Sequence, residues 1–215
     1  MESIIILASS YKHGGICLAG KRADGRWVRP VPADQEYGWR EHLLKQRLGH
    51  LPAACERIAV PALAPAPQGH QPENCLVGNG NWSSEGASTA QDLLALTDDE
   101  ALWNTGEHSG SGINDRISLH TALREARSSL RLVRPEGLRF VSSVSYDGRL
   151  KLRARFSLQG FNYLLCVTDA AALKYWLPKL ANGHDGRTEA LLCISLSLPL
   201  NGYCYKLVAG VIELH

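Results

Sequence analysis

The side chains best suited to chemistry in this sequence are cations and aromatic rings near its start. They surround two apolar runs, residues 4–7 and 16–19, which Gly14 and Gly15 separate. Aromatic rings stack on nucleobases and cations pair with phosphates, so a surface that offers both suits nucleic acid. The alternative left open is that Tyr11 and Trp27 pack in the core and the cations are solvated. We predict a nucleic-acid contact at Tyr11, Lys12, His13, Lys21, Arg22, Trp27 and Arg29.

A second group of cations lies in the other half of the chain. Residues 151–156 alternate between cationic and apolar side chains, so a strand there would place Lys151, Arg153 and Arg155 on one face. This predicts a cationic sheet face that adds to the nucleic-acid contact. The net charge is only +2, but the two basic regions flank residues 85–120, which carry seven acidic residues. Such asymmetry is typical of a polyanion-binding face with a solvated back.

A polar loop at residues 70–74 follows a proline-rich stretch and is a candidate for acid–base chemistry. It contains His70, Glu73 and Asn74, but no nucleophile or metal-ligand spacing accompanies them. We therefore favour a fixed loop of unknown role. An enzyme acting on nucleic acid or a nucleotide stays open as an alternative, and its candidate groups would be Lys12, His13, Cys17, His70 and Glu73. The favoured hypothesis has no catalytic residue, no cofactor and no metal.

A third hypothesis is a protein-interaction subunit whose acidic middle docks on a larger effector protein encoded nearby.

The chain has 215 residues, 45% of them hydrophobic, and can form one large or two small domains. Its six cysteines form no C-x-x-C pair, and no secretory signal precedes them, so we expect reduced thiols in the cytoplasm. No apolar segment reaches the length of about 18 residues that would suggest a membrane span.

Hydrophobic periodicity and turn signals predict a mainly β chain with a few short helices, an α+β protein. The predicted strands cover residues 4–7, 16–19, 27–29, 56–63, 130–134, 138–144, 150–156, 163–167, 191–198 and 205–214. Helices are predicted at 38–48, 118–130 and 169–177, the last ended by Pro178, and within 91–103, where residues 97–100 form a capping pattern. Two runs of short strands fit two small barrels better than one parallel sheet.

Six separated segments together resemble the dual OB-containing domain family of prokaryotes. They are residues 9–20, 27–30, 70–74, 156–169, 192–196 and 204–209. The resemblance implies two OB-like β-barrels in tandem, a role in binding DNA or RNA, and an association with bacterial defence or conflict systems. It supplies no catalytic residue. We expect a first barrel with an acidic, loop-rich extension at residues 1–115, and a second barrel at residues 116–215.

Overall fold

A computed structural model describes residues 1–12, 14–33, 38–103, 106–144 and 148–214, except the side chains of Lys12 and Ala90. Within these ranges the elements, numbered in chain order, are β1 (Glu2–Lys12), β2 (Gly15–Lys21), β3 (Trp27–Val31), α1 (Glu41–Leu48), β4 (Glu56–Val60), β5 (Leu63–Pro65), β6 (Asn74–Val77), β7 (Ser83–Ala87), α2 (Ala90–Leu94), β8 (Arg116–Ser118), α3 (Leu119–Glu125), β9 (Leu130–Val133), β10 (Glu136–Val144), β11 (Leu150–Leu158), β12 (Phe161–Val167), α4 (Ala170–Ala181), β13 (Ala190–Leu196) and β14 (Tyr203–Glu213).

The first sheet has the strand order β5-β6-β3-β2-β1-β4-β7. Strand β1 pairs with β2 over most of its length and with β4 at its start, while β3 and β6 run parallel. Only Pro61 and Ala62 separate β4 from β5, so together they act as one bent strand that closes the sheet. With α1 between β3 and β4, this is the arrangement of a five-stranded OB barrel.

The second sheet repeats this arrangement, with the order β10-β11-β12-β14-β13-β9 and β8 added on β14. Its parallel pair is β12 with β14, and α4 lies between β12 and β13. Arg134 and Pro135 alone separate β9 from β10, which together form the bent first strand of this barrel. The prediction of a mainly β chain with two OB-like units is therefore confirmed. The expected division between residues 115 and 116 stays a prediction.

A shared apolar core joins the outer face of β1 and β2 to the second barrel. Ile5, Leu7 and Ala19 pack there on side chains from β9, β13 and β14, namely Leu130, Leu132, Leu191, Cys193, Ala209 and Ile212. The backbones also approach closely, because a Cβ atom on Gly210 would lie 2.0 Å from the Leu7 carbonyl oxygen. The interface between the barrels is thus packed like a domain interior.

Three helix predictions need correction. The capping pattern at residues 97–100 starts no helix; the helix in this region is α2, capped by Thr89 in a capping box with Asp92. The helix predicted at 118–130 ends at Glu125, because residues 130–133 pair with β13, and Leu123 is 57% exposed rather than packed. Helix α4 continues through Pro178 to Ala181, since a proline in the last turn removes a single backbone donor.

The helices of the described ranges include none with the length and apolar character needed to cross a membrane.

Candidate nucleic-acid interface

Two residues of the predicted first-barrel contact, Lys21 and Trp27, both form hydrogen bonds to Asp98. The Lys21 ammonium is buried and donates to Asp98 Oδ1 at 2.6 Å and to the Leu96 carbonyl at 2.7 Å. Trp27 Nε1 donates to Asp98 Oδ2 at 3.1 Å, and the backbone N–H of Leu132 donates to the same oxygen at 2.7 Å. This cluster connects the acidic middle of the chain to both barrels, and its charges are already paired.

Arg22 and Tyr11 occupy different surroundings from this cluster. Arg22 pairs with Glu2 at 2.7 Å, and both side chains are about one quarter to one third exposed. Tyr11 is 51% exposed, and its hydroxyl donates to Glu41 at 3.2 Å. His13 and the side chain of Lys12 lie outside the described residues. The structure therefore presents Tyr11 to solvent but does not bring the first-barrel set together on one open surface.

Arg29, also expected to contact nucleic acid, lies in a buried ionic network between the barrels. Its Nη2 donates to Glu73 Oε1 at 3.2 Å, to Ser129 Oγ at 2.8 Å and to Ser195 Oγ at 3.3 Å. Glu73 accepts further hydrogen bonds from the Ser129 hydroxyl and, at 3.1 Å, from the Ser129 backbone N–H. Glu73 of the polar loop thus joins the first barrel to the second through Ser129, a contact that the sequence did not reveal.

His70 and Asn74, the other residues of the polar loop, are buried as well. His70 Nδ1 lies 3.8 Å from Cys204 Sγ, and burial lowers the pKa of this histidine. Asn74 Nδ2 donates to Gln71 Oε1 at 3.4 Å. Within the part of the chain that the structure describes, no group of three or more His, Cys, Asp or Glu side chains is arranged to hold a metal ion.

The second-barrel cations lie on one face of β10, β11 and β12. Arg139 stands directly opposite Arg155, and Ser143 stands opposite Lys151. Arg153 stands opposite Val141 on one side and Cys166 on the other. Residues opposite each other in an antiparallel pair share a face. We call this surface the cationic face and define it by Arg139, Lys151, Arg153 and Arg155.

The charges of the cationic face are only partly neutralised. Arg139 donates to Asp185 at 2.8 Å, and Arg187 approaches the same carboxylate at 3.6 Å. Arg153 is buried and donates to the hydroxyls of Ser143 and Ser111. Arg155 is exposed, and no carboxylate of the described residues pairs with it. Like charges directly opposite in a sheet are unfavourable, so Arg139 and Arg155 leave excess positive charge at this surface.

A cleft of about 500 Å³ opens between the barrels and was not predicted from the sequence. Each of the six segments that carried the family resemblance contributes to its lining. Its polar lining includes Ser195 and Gln71, which we did not single out. The sequence signal that could have indicated the cleft was the set of six segments, because all of them meet at this place. One lining residue from each segment is, in chain order, Cys17, Arg29, Asn74, Thr168, Ser195 and Leu207.

Comparison with known proteins agrees with this architecture. The family model of the dual OB-containing domain matches residues 2–211, nearly the whole chain. Neither a curated protein nor a solved structure matches the chain. The resemblance noted from the six segments is thereby confirmed.

Proposed function

The chain belongs to the dual OB-containing domain family, and from this premise we propose that it binds nucleic acid on the cationic face of its second barrel. OB barrels bind oligonucleotides on the outer face of their second and third strands. In the second barrel these strands are β11 and β12, and Lys151, Arg153 and Arg155 project from β11 to that side. The observation that carries the proposal is the exposed, unneutralised Arg155 opposite Arg139.

The equivalent face of the first barrel supports the choice of the second. There the outer face of β2 and β3 carries Ala19, Lys21 and Trp27, which pack against the second barrel or bond to Asp98. A strand of nucleic acid cannot cross this part of the surface without separating the barrels. The cationic face has no such cover over Arg155.

The composition of the cationic face favours contacts to the phosphate backbone over base stacking. The described residues on this side of β10, β11 and β12 include no aromatic ring. Arg139, Lys151 and Arg155 are at least partly exposed. Each phosphate that these side chains neutralise releases condensed counterions, so binding weakens steeply as salt rises. We expect binding that depends little on base sequence.

The test is fluorescence anisotropy with labelled single- and double-stranded DNA and RNA in a salt series. The variant carries Lys151→Glu and Arg155→Glu together, and the matched control is Lys174→Glu, an exposed lysine on α4 of the same barrel. We expect the double variant to lose about tenfold or more in affinity at low salt, with the control close to wild type. Equal affinities for wild type and the double variant would contradict the proposal.

The wider role follows from the family resemblance. We propose that the protein is an accessory component of a bacterial defence or conflict system, with DNA or RNA as its ligand. A larger effector partner and a cytoplasmic location remain predictions from the sequence. Co-purification with the products of neighbouring genes tests the partner, and purification of the tagged protein alone from the native host would contradict it.

A further inference from the structure

The cleft between the barrels has the size and position of a ligand site. Its volume of about 500 Å³ lies within the range of about 300–1,000 Å³ typical of small-molecule pockets. One wall is formed by β1, β2, β3 and residues 66–74 of the first barrel, and the other by Thr168, residues 195–198 and β14 of the second. The cleft therefore lies between the barrels and adjoins their shared apolar core at Ala209.

Two buried polar atoms on the lining residues lack hydrogen-bond partners. Asn74 Oδ1 is an acceptor and Arg29 Nε carries a donor, and neither finds a partner among the described residues. Asn74 is only 3% exposed. Buried polar groups are nearly always satisfied in folded proteins, and an exception calls for an explanation such as a ligand. Both atoms are covered from solvent but belong to residues of the cleft wall, so a small rotation of either side chain would present an acceptor or a donor to a ligand.

The rest of the lining suits a flat, apolar ring. Pro30, Pro67 and Leu198 contribute apolar surface, and the half-exposed Tyr11 also lines the cleft. An exposed tyrosine ring can stack on any planar base. A nucleobase combines a flat apolar face with donors and acceptors on its edge, and asparagine pairs with such edges in many complexes.

We infer that this cleft binds a nucleobase, stacked on Tyr11 and held at its edge by Asn74 and Arg29. The base can belong to a free nucleotide or be a single unpaired base of a strand. The inference does not depend on the cationic face, since the residues that form the cleft are different from those that form the face.

Cysteine alkylation provides a local measurement for each site. Cys17 lines the cleft and is partly accessible. Cys166 lies opposite Arg153 on the cationic face and is also partly accessible, and Cys55 is a partly accessible cysteine that lines neither site. Alkylation followed by mass spectrometry thus follows the two sites separately, with Cys55 as the internal reference.

The probes are the four ribonucleoside monophosphates, a single-stranded DNA oligonucleotide, and ribose 5-phosphate as the control without a base. We expect at least one nucleotide or the oligonucleotide to slow alkylation of Cys17 while leaving Cys55 unchanged. Protection by a monophosphate identifies a free nucleotide as the ligand. Protection by the oligonucleotide alone identifies the base of a strand.

Two results would overturn the inference: unchanged alkylation of Cys17 with every probe, or equal protection by ribose 5-phosphate, which would indicate phosphate recognition. Neither result bears on Cys166, so failure of the cleft and failure of the cationic face are distinguishable.

Two variants test the assigned contacts. Tyr11→Ala removes an exposed ring, and we expect the affinity of the protecting ligand to fall about tenfold or more, the effect of a lost base stack. Asn74→Leu keeps the size of the side chain and removes the acceptor, together with the amide donor that bonds to Gln71. Thermal unfolding checks that each variant is folded, and if Asn74→Leu does not fold, Tyr11→Ala alone decides. Unchanged affinity in folded Tyr11→Ala would contradict the stacking role.

Discussion

The two barrels share one strand order but use the same face in opposite ways. In the first barrel the outer face of β1 and β2 is packed on β9, β13 and β14, where Ile5, Leu7 and Ala19 form a shared core. In the second barrel the outer face of β10, β11 and β12 keeps Arg155 exposed. The comparison shows how one copy of a repeated fold can serve assembly, while the other leaves cationic side chains of the equivalent face open to solvent.

Buried lysines give a second contrast between the barrels. Lys21 of the first barrel contacts the Asp98 carboxylate directly at 2.6 Å. Lys206 of the second barrel is 1% exposed, and its ammonium donates to the amide oxygen of Asn114 at 3.2 Å. Burial lowers the pKa of Lys206 to about 8, although Asp115 and Glu107 oppose this shift. The buried lysine of the first barrel is thus paired with a carboxylate, whereas the buried lysine of the second barrel has a lowered pKa and holds its proton less strongly.

The largest effect is expected from breaking the ionic network between the barrels. Glu73→Ala leaves Arg29 buried without its carboxylate, and we expect a loss of about 3–5 kcal/mol in the free energy of unfolding. Urea denaturation measures this loss. The control is Glu125→Ala on the exposed side of α3, which should change stability by less than about 0.5 kcal/mol. Similar values for both variants would show that the network contributes little to joining the barrels.

The next effect concerns the pH dependence of stability caused by Lys206. Its pKa is about 8 in the folded protein against 10.5 ordinarily, so between these values the unfolded chain binds more protons. The stability of wild type should therefore rise with pH in this window relative to Lys206→Met, by up to about 3 kcal/mol. Below this window lysine is charged in both states, and the contribution is constant.

Denaturation of both proteins across this window measures the difference. Subtracting the variant cancels the buried thiols, such as Cys193 with its pKa raised to about 12, which destabilise the folded state at high pH in both proteins. A wild-type-minus-variant difference that stays level with pH would contradict the assignment of this shift to Lys206.

A smaller loss is expected where Gly210 of β14 lies close to the backbone of β1. In Gly210→Ala the new Cβ would lie 2.0 Å from the Leu7 carbonyl oxygen, so β1 or β14 must shift. We expect a loss of about 1–3 kcal/mol in unfolding free energy, as for other overpacked interiors. Gly110→Ala is the control, because nothing lies within 4 Å of its added Cβ. Equal thermal stability of the two variants would mean that β1 and β14 can move apart at this point without loss of unfolding free energy.

The smallest expected effect compares the exposed charges of the barrels. Arg155→Gln should lower the slope of the logarithm of affinity against the logarithm of salt concentration by about 1, because one phosphate contact is lost. Arg26→Gln in the first barrel should leave the slope unchanged, since Arg26 pairs with Asp24 away from the cationic face. Anisotropy titrations measure both slopes. The reverse pattern would move the ligand to the first barrel.

Local patterns predicted the strands well, and they failed where distant residues compete. The alternation at residues 150–156 is a direct consequence of the two-residue period of a strand, and Leu152, Ala154 and Phe156 indeed lie in the core. Residues 97–100 have the composition of a helix cap, but Asp98 bonds to Lys21 and to β9 instead. Nothing in the local sequence distinguishes a capping carboxylate from one that pairs with a lysine far away in the chain.

The candidate site was predictable in its parts and not in its assembly. The cationic alternation on β11 was visible in the sequence, whereas the burial of Arg153 by Ser111 depends on tertiary packing. The polar loop was recognised as unusual, but its role needed the position of Ser129 in the second barrel. The cleft requires both barrels, so no single segment of the sequence could reveal it.

The shared core also sets an order of events during protein synthesis. Strand β1 is made before β13 and β14, yet part of its cover comes from these two later strands. Until then the part of Ile5 and Leu7 that β13 and β14 cover remains open to solvent, and exposed apolar surface on a nascent chain promotes aggregation. A chain that stops before Ala190 would keep this surface uncovered permanently. Premature termination should therefore yield insoluble fragments that chaperones retain, rather than a usable first barrel.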